Sequence, residues 1–164
     1  MATVVVTADG DAVVGEILIA APCERVFQAL TDPSQLLQWW GQKGMFTATS
    51  WDIDLRVGGE WRGEANMRGS TFWIKGKYVQ IDPPRLLVYT WLSSMPGETP
   101  SLVRFELATE GGGTRVKLRH SGLAANVAAR VNYQNMWPAL LSWARGFVEM
   151  GETAETRPMP VPPE

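Results

Sequence analysis

Residues 133–148, YQNMWPALLSWARGFV, decide the fold. Tyr133, Met136, Trp137, Leu140, Leu141, Ala144, Phe147 and Val148 recur at spacings of three and four, which lays one apolar stripe along a helix with Arg145 and Glu149 opposite. Pro138 interrupts the stripe, because a proline inside a helix lacks one donor and crowds the preceding turn. Two solutions fit: Asn135 caps a fresh start, or one long helix kinks at the proline.

Upstream of this helix the apolar period falls to two. Six strands are expected at about 46–55, 60–66, 71–81, 86–92, 102–109 and 114–121, separated by Gly58-Gly59, Arg68-Gly69, Asp82-Pro83-Pro84, Met95-Pro96-Gly97 and Gly111-Gly112-Gly113. Connections this short favour an antiparallel meander, since a parallel pair needs a crossover of a dozen or more residues. Earlier still, 12–20 reads as a first strand, and 3–7 pairs with it weakly through Asp9-Gly10. Pro22 suits the first position of a helix carrying Val26, Phe27 and Leu30 on one side. Asp32 before Pro33 caps a second short helix with Leu36, Leu37 and Trp40 on one face. The order is α+β: a curved antiparallel sheet of about seven strands, two short helices after the first strand, and one long C-terminal helix to cover a single face. A curved sheet that closes on a helix at one end leaves a gap at the other, which is a natural ligand cavity.

The chain has 164 residues, room for one core, and divides into an N-terminal extension at 1–11, one domain at 12–150 and a Pro-rich flexible tail at 151–164. A net charge of -2 with no run of Lys or Arg excludes a nucleic-acid track. No apolar stretch reaches the roughly twenty residues of a membrane span, and no leader pattern opens the chain. One cysteine permits no intrachain disulfide, and one histidine with no cysteine cluster excludes the usual metal sites and suggests no cofactor; a cytoplasmic setting is expected. Eight tryptophans suggest a roomy aromatic interior.

The segments PCERVFQALTDP (22–33), WWG (39–41), VGGEWR (57–62), GKY (76–78), IDPPRLLVYTW (81–91) and GGTRVKLRHSGL (112–123) resemble the bacterial homologues of the heat-shock protein 90 ATPase activator. That family lies in the START-like (SRPBCC) superfamily. The resemblance spans about 15–148 and implies the helix-grip fold with an apolar cavity; the family's name implies a place in the stress response. The superfamily hosts lipid carriers, cyclases and chaperone co-regulators, so the fold does not choose between them. The namesake activator has a further N-terminal domain for the chaperone, which leaves chaperone activation in doubt here.

Alternation sorts the strand residues. Arg115, Lys117 and Arg119 face outward, so Val116, Leu118 and His120 face inward, as do Val103, Phe105 and Leu107, and Ile74, Gly76 and Tyr78. For 86–91 the pattern allows either face, and Leu87, Tyr89 and Trp91 are taken as inward to wall the cavity. The expected ligand-binding set is therefore Trp61, Phe72, Ile74, Tyr78, Tyr89, Trp91, Phe105, His120, Trp137 and Leu141. His120 is either a base or polar anchor, or a buried histidine satisfied at a strand end, the second being the simpler. Cys23, beside Arg25 in a first helical turn, is read as a small helix-start residue, and Asp52, Asp54, Glu60 and Glu64 as a solvated strand face.

Three functions follow from these residues. An apolar or aromatic small molecule is bound between sheet and helix; or His120 with a tyrosine runs a cyclase or dehydratase reaction on a polyketide-like substrate; or the aromatics and sheet edge meet a chaperone or a second copy in a homodimer. The first is preferred, with no catalytic residue assigned.

Overall fold

The computed structural model describes residues 2–158. β1 (Thr3–Val6) and β2 (Val13–Ile19) form a hairpin, then α1 (Cys23–Thr31) and α2 (Pro33–Trp39) leave the sheet. β3 (Gly41–Gln42), β4 (Phe46–Ile53), β5 (Glu60–Met67), β6 (Ser70–Asp82), β7 (Leu86–Ser93), β8 (Ser101–Glu110) and β9 (Gly113–Ser121) follow as a meander, and α3 (Val127–Met150) covers it. The sheet order is β1-β2-β9-β8-β7-β6-β5-β4-β3, with the pairings antiparallel throughout. This is the expected α+β helix-grip arrangement. The described sheet has nine strands rather than seven, because 3–6 does pair with β2 and the two-residue β3 extends the far edge.

Register explains which side chains meet. Gly15, Leu118, Phe105, Leu87 and Ile81 align across five strands, and beside them run Val13, His120, Val103, Tyr89 and Tyr78. The inward assignments in β7, β8 and β9 hold: Leu87, Tyr89, Trp91, Val103, Phe105, Leu107, Val116, Leu118 and His120 are all buried. Asp52, Asp54 and Glu60 are exposed, and Glu64 pairs with Arg62 at 2.9 Å on the outer face.

Outside the strands the structure departs from the sequence reading in four places, three of them helices. Pro22 is the N-cap of α1, not its first helical residue. In α2, Asp32 caps as expected by accepting from the Ser34 N–H at 2.9 Å, but Leu37 is exposed and Trp39 is buried instead. The Trp39 indole N–H donates to the Ala29 carbonyl at 2.9 Å, which turns this seven-residue helix so that its wide ring faces α1. In α3 Asn126, not Asn135, is the cap, and the helix continues through Pro138. Gln134, whose carbonyl loses its partner there, lies on the exposed side where water can serve it.

The fourth departure is the segment after Gly151. Residues 151–158 pack against the body: the Ala154 N–H donates to the Gln38 carbonyl, Lys43 N–H to the Ala154 carbonyl, and the Arg157 guanidinium lies 4.9 Å from the Trp143 ring. Arg157 also donates to the Trp39 and Gly41 carbonyls at the end of α2, where backbone partial negative charge accumulates. The Pro-rich reading of 159–164 lies outside the described residues. Among the described residues no helix is long and apolar enough to cross a membrane.

Candidate functional site

One helix cannot cover nine strands. The stripe Trp137, Leu140, Leu141, Ala144 and Phe147 of α3 is buried, with Leu141 lying over Gly15 of β2. A second stripe, Asn132, Met136, Ala139 and Trp143, looks toward the other half of the sheet across an open space, with Trp143 touching Phe46. The result is a cleft of about 370 Å³ walled by Phe46 of β4, Phe72 and Ile74 of β6, Trp91 and Ser93 of β7, and the second stripe of α3. Phe46 sets its floor, edge-on to Phe72 at 5.6 Å and to Trp143 at 5.7 Å.

The mouth is apolar. Met45, Met67 and Met95 line it, each between 40% and 49% exposed, with Met136 below them. Methionine is unbranched and polarizable, so such a rim adapts to differently shaped apolar guests. Arg68 stands at the same rim, held by the two-residue turn between β5 and β6 in which Arg68 and Gly69 both have positive φ.

Behind the cleft runs a chain of hydrogen bonds that fixes its rear wall. The Trp137 indole N–H donates to His120 Nδ1 at 3.1 Å, so the neutral ring carries its proton on Nε2 and donates to Ser101 Oγ at 2.7 Å. Ser101 in turn donates to the Trp91 carbonyl at 3.3 Å. The Trp91 indole N–H donates to the Tyr133 hydroxyl at 2.9 Å, which donates to Glu98 at 2.6 Å. His120 is fully buried and stacked on Tyr133 at 4.4 Å, and that burial lowers its pKa from 6.5 to about 3. Both ring nitrogens are committed, which is the geometry of a satisfied structural histidine rather than a free base.

Beyond Trp91 lies a second, inner chamber of about 20 Å³, bounded by Trp51, Trp61, Tyr78, Tyr89, Trp91 and the ends of α1 and α2. The expected set therefore divides. Phe72, Ile74 and Trp91 line the cleft; Trp61, Tyr78, Tyr89 and again Trp91 line the inner chamber. Phe105, His120, Trp137 and Leu141 belong to the packed half and border neither space. Sequence reasoning missed Phe46, Trp143 and the methionines. Met45, Met67 and Met95 adjoin the start of β4, the end of β5 and the end of β7, which an antiparallel meander gathers at one end of the sheet.

Other depressions suit an apolar guest less well. Two on the outer sheet face, of about 410 and 600 Å³, are rimmed by Glu16, Arg104 and Lys117 and by Asp52, Arg62 and Lys75. Cys23 is buried, its Sγ 3.4 Å from the Thr114 hydroxyl and 3.7 Å from that of Thr109, beside a polar hollow. Among the described residues no three His, Cys, Asp or Glu side chains are grouped to hold a metal.

Comparison with known proteins gives a consistent picture. The family described as Activator of Hsp90 ATPase homolog 1-like protein matches residues 20–143. No curated protein matches the chain. Among solved structures, protein CV1439 from Chromobacterium violaceum is 24% identical over 85% of this chain and 97% of its own, with a TM-score of 0.75. A Rhodobacter sphaeroides protein is 20% identical over 90% of this chain and 98% of its own, with a TM-score of 0.77. DynU16, a protein of the dynemicin biosynthetic locus, is 18% identical with a TM-score of 0.72, matching 88% of this chain but only 49% of DynU16. At these identities the solved structures speak for the fold.

Proposed function

We propose that this chain, which belongs to the Activator of Hsp90 ATPase homolog 1-like family, binds an apolar or aromatic small molecule in the cleft between its sheet and α3. The observation that carries this is the unfilled space itself: about 370 Å³ lined by Phe46, Phe72, Ile74, Trp91, Met136 and Trp143, with a methionine rim. A volume in this range suits a small ligand, and its burial of apolar surface supplies the affinity. DynU16, which shares the fold, is a protein of a biosynthetic locus, and a small-molecule role here is in keeping with it by analogy only. A cyclase or dehydratase reaction has no base in His120, whose two nitrogens are already bonded.

A thermal-shift screen with lipophilic compounds tests the binding. A ligand at a hundred times its Kd stabilises by about 2.7 kcal/mol, which moves the Tm of a chain this size by roughly 5–10 °C. Ala139→Trp, placed on the cleft face of α3, fills the space and is expected to remove the shift while the protein still unfolds cooperatively. No shift across a broad aromatic and aliphatic set, or an undiminished shift in Ala139→Trp, counts against the cleft.

A further inference from the structure

Buried polar groups in folded proteins nearly always find partners, so a cluster of unpartnered ones marks a place built for something else. The inner chamber has such a cluster. The indole N–H groups of Trp51 and Trp61 are buried and make no hydrogen bond, the Trp61 nitrogen lying beside the Gly76 and Thr90 backbone. Tyr78 and Tyr89 face each other across β6 and β7, both rings buried; neither hydroxyl makes a hydrogen bond among the described residues, and unlike the two indole nitrogens the hydroxyl oxygens border open space. All four side chains line the same small space. Its volume, about 20 Å³, accommodates roughly one water-sized group.

The donor types say what that group must be. Indole nitrogens only donate, and burial pushes both tyrosine hydroxyls upward so that they stay protonated and able to donate. The guest atom is therefore an acceptor. No charged residue lines the chamber, so a carboxylate there would lose its hydration with no cation to offset the loss. A neutral oxygen meets the donors without that cost. Trp91, its indole tied to Tyr133 at 2.9 Å, is the residue that chamber and cleft share.

We propose that the inner chamber is the polar end of the ligand site, taking the single neutral acceptor oxygen of a ketone, quinone or amide whose apolar body fills the outer cleft. This rests on the cleft being the binding site. The ligand class is then an apolar or aromatic carbonyl compound, and neither a plain hydrocarbon nor an acid.

Isothermal titration of three matched probes tests it: 2-ethylnaphthalene, 2-acetylnaphthalene and 2-naphthoate. The ketone is expected to bind about tenfold more tightly than the hydrocarbon, as for one buried hydrogen bond gained, and the carboxylate most weakly. Tyr89→Phe and Tyr78→Phe keep the rings and remove only unpartnered hydroxyls, so both variants fold. In the double variant the ketone's advantage is expected to shrink while the hydrocarbon affinity stays. Equal affinity of ketone and hydrocarbon, tightest binding of the carboxylate, or an advantage untouched in the double variant overturns the inference and leaves the cleft standing. Failure of all three probes to bind overturns the cleft as the site, and this inference with it.

Discussion

Replacing His120 by Gln isolates a pH dependence that the buried polar chain predicts. His120 is the chain's one histidine, so it alone among the side chains has an ordinary pKa near 6.5. Burial keeps the folded imidazole neutral down to about pH 3, whereas in the unfolded chain it takes a proton near 6.5. Between those values the unfolded state binds one more proton than the folded state, so stability falls as the pH falls. The slope is about 1.4 kcal/mol per pH unit, and from pH 8 to 4.5 the loss is about 2.7 kcal/mol. Most carboxylates remain ionised across that range, which keeps the window clean. Gln can accept from Trp137 and donate to Ser101 without titrating. Urea denaturation at half-unit pH steps should give the wild type this decline and His120→Gln a nearly flat profile. Parallel profiles for the two proteins would refute a neutral, buried His120.

Three further changes probe the packing around the cleft. Tyr133→Phe leaves the Trp91 indole N–H buried without an acceptor and should cost about 1–3 kcal/mol in urea denaturation, more than Glu98→Gln at the half-buried end of the same chain. Gly76→Ala places a Cβ 1.8 Å from the Thr90 carbonyl oxygen, backbone that cannot swing aside, so this variant should lose roughly 3 kcal/mol or more, or accumulate unfolded by circular dichroism. Arg157→Lys keeps the charge but gives up the planar stack on Trp143 and the fork to two carbonyls; a loss of about 1–2 kcal/mol is expected, and wild-type stability would return 151–158 to a passive tail.

Much of the fold was legible because charge marks the outer face. Arg115, Lys117 and Arg119 leave no choice about Val116, Leu118 and His120, and the turn residues between strands allow only a meander. The ends of α3 were harder, since Asn126 and Asn135 are equally good caps in sequence and tertiary packing carries the helix past Pro138. The segment 151–158 has no periodicity; its contacts are backbone hydrogen bonds and one stacked guanidinium, neither of which leaves a pattern. For the site, alternation says which residues point inward but not which inward residues are covered. Pairing of β2 with β9 brings α3 down over Phe105 and Leu118, so Trp137 and Leu141 become packing, and the space opens over Phe72 and Ile74 instead. That division is set by a strand pairing between the two ends of the chain, which no local window contains.

The methionines offer the most direct test of the cleft as a binding site. Met45, Met67, Met95 and Met136 line it, while Met150 lies at the far end of α3 and is 69% exposed. With methyl-13C-methionine protein titrated with 2-acetylnaphthalene and followed by NMR, the four cleft methyl resonances should shift together and saturate while Met150 stays still. Shifts spread evenly over all the methionines, or confined to Met150, would contradict a bound molecule between the sheet and its long helix.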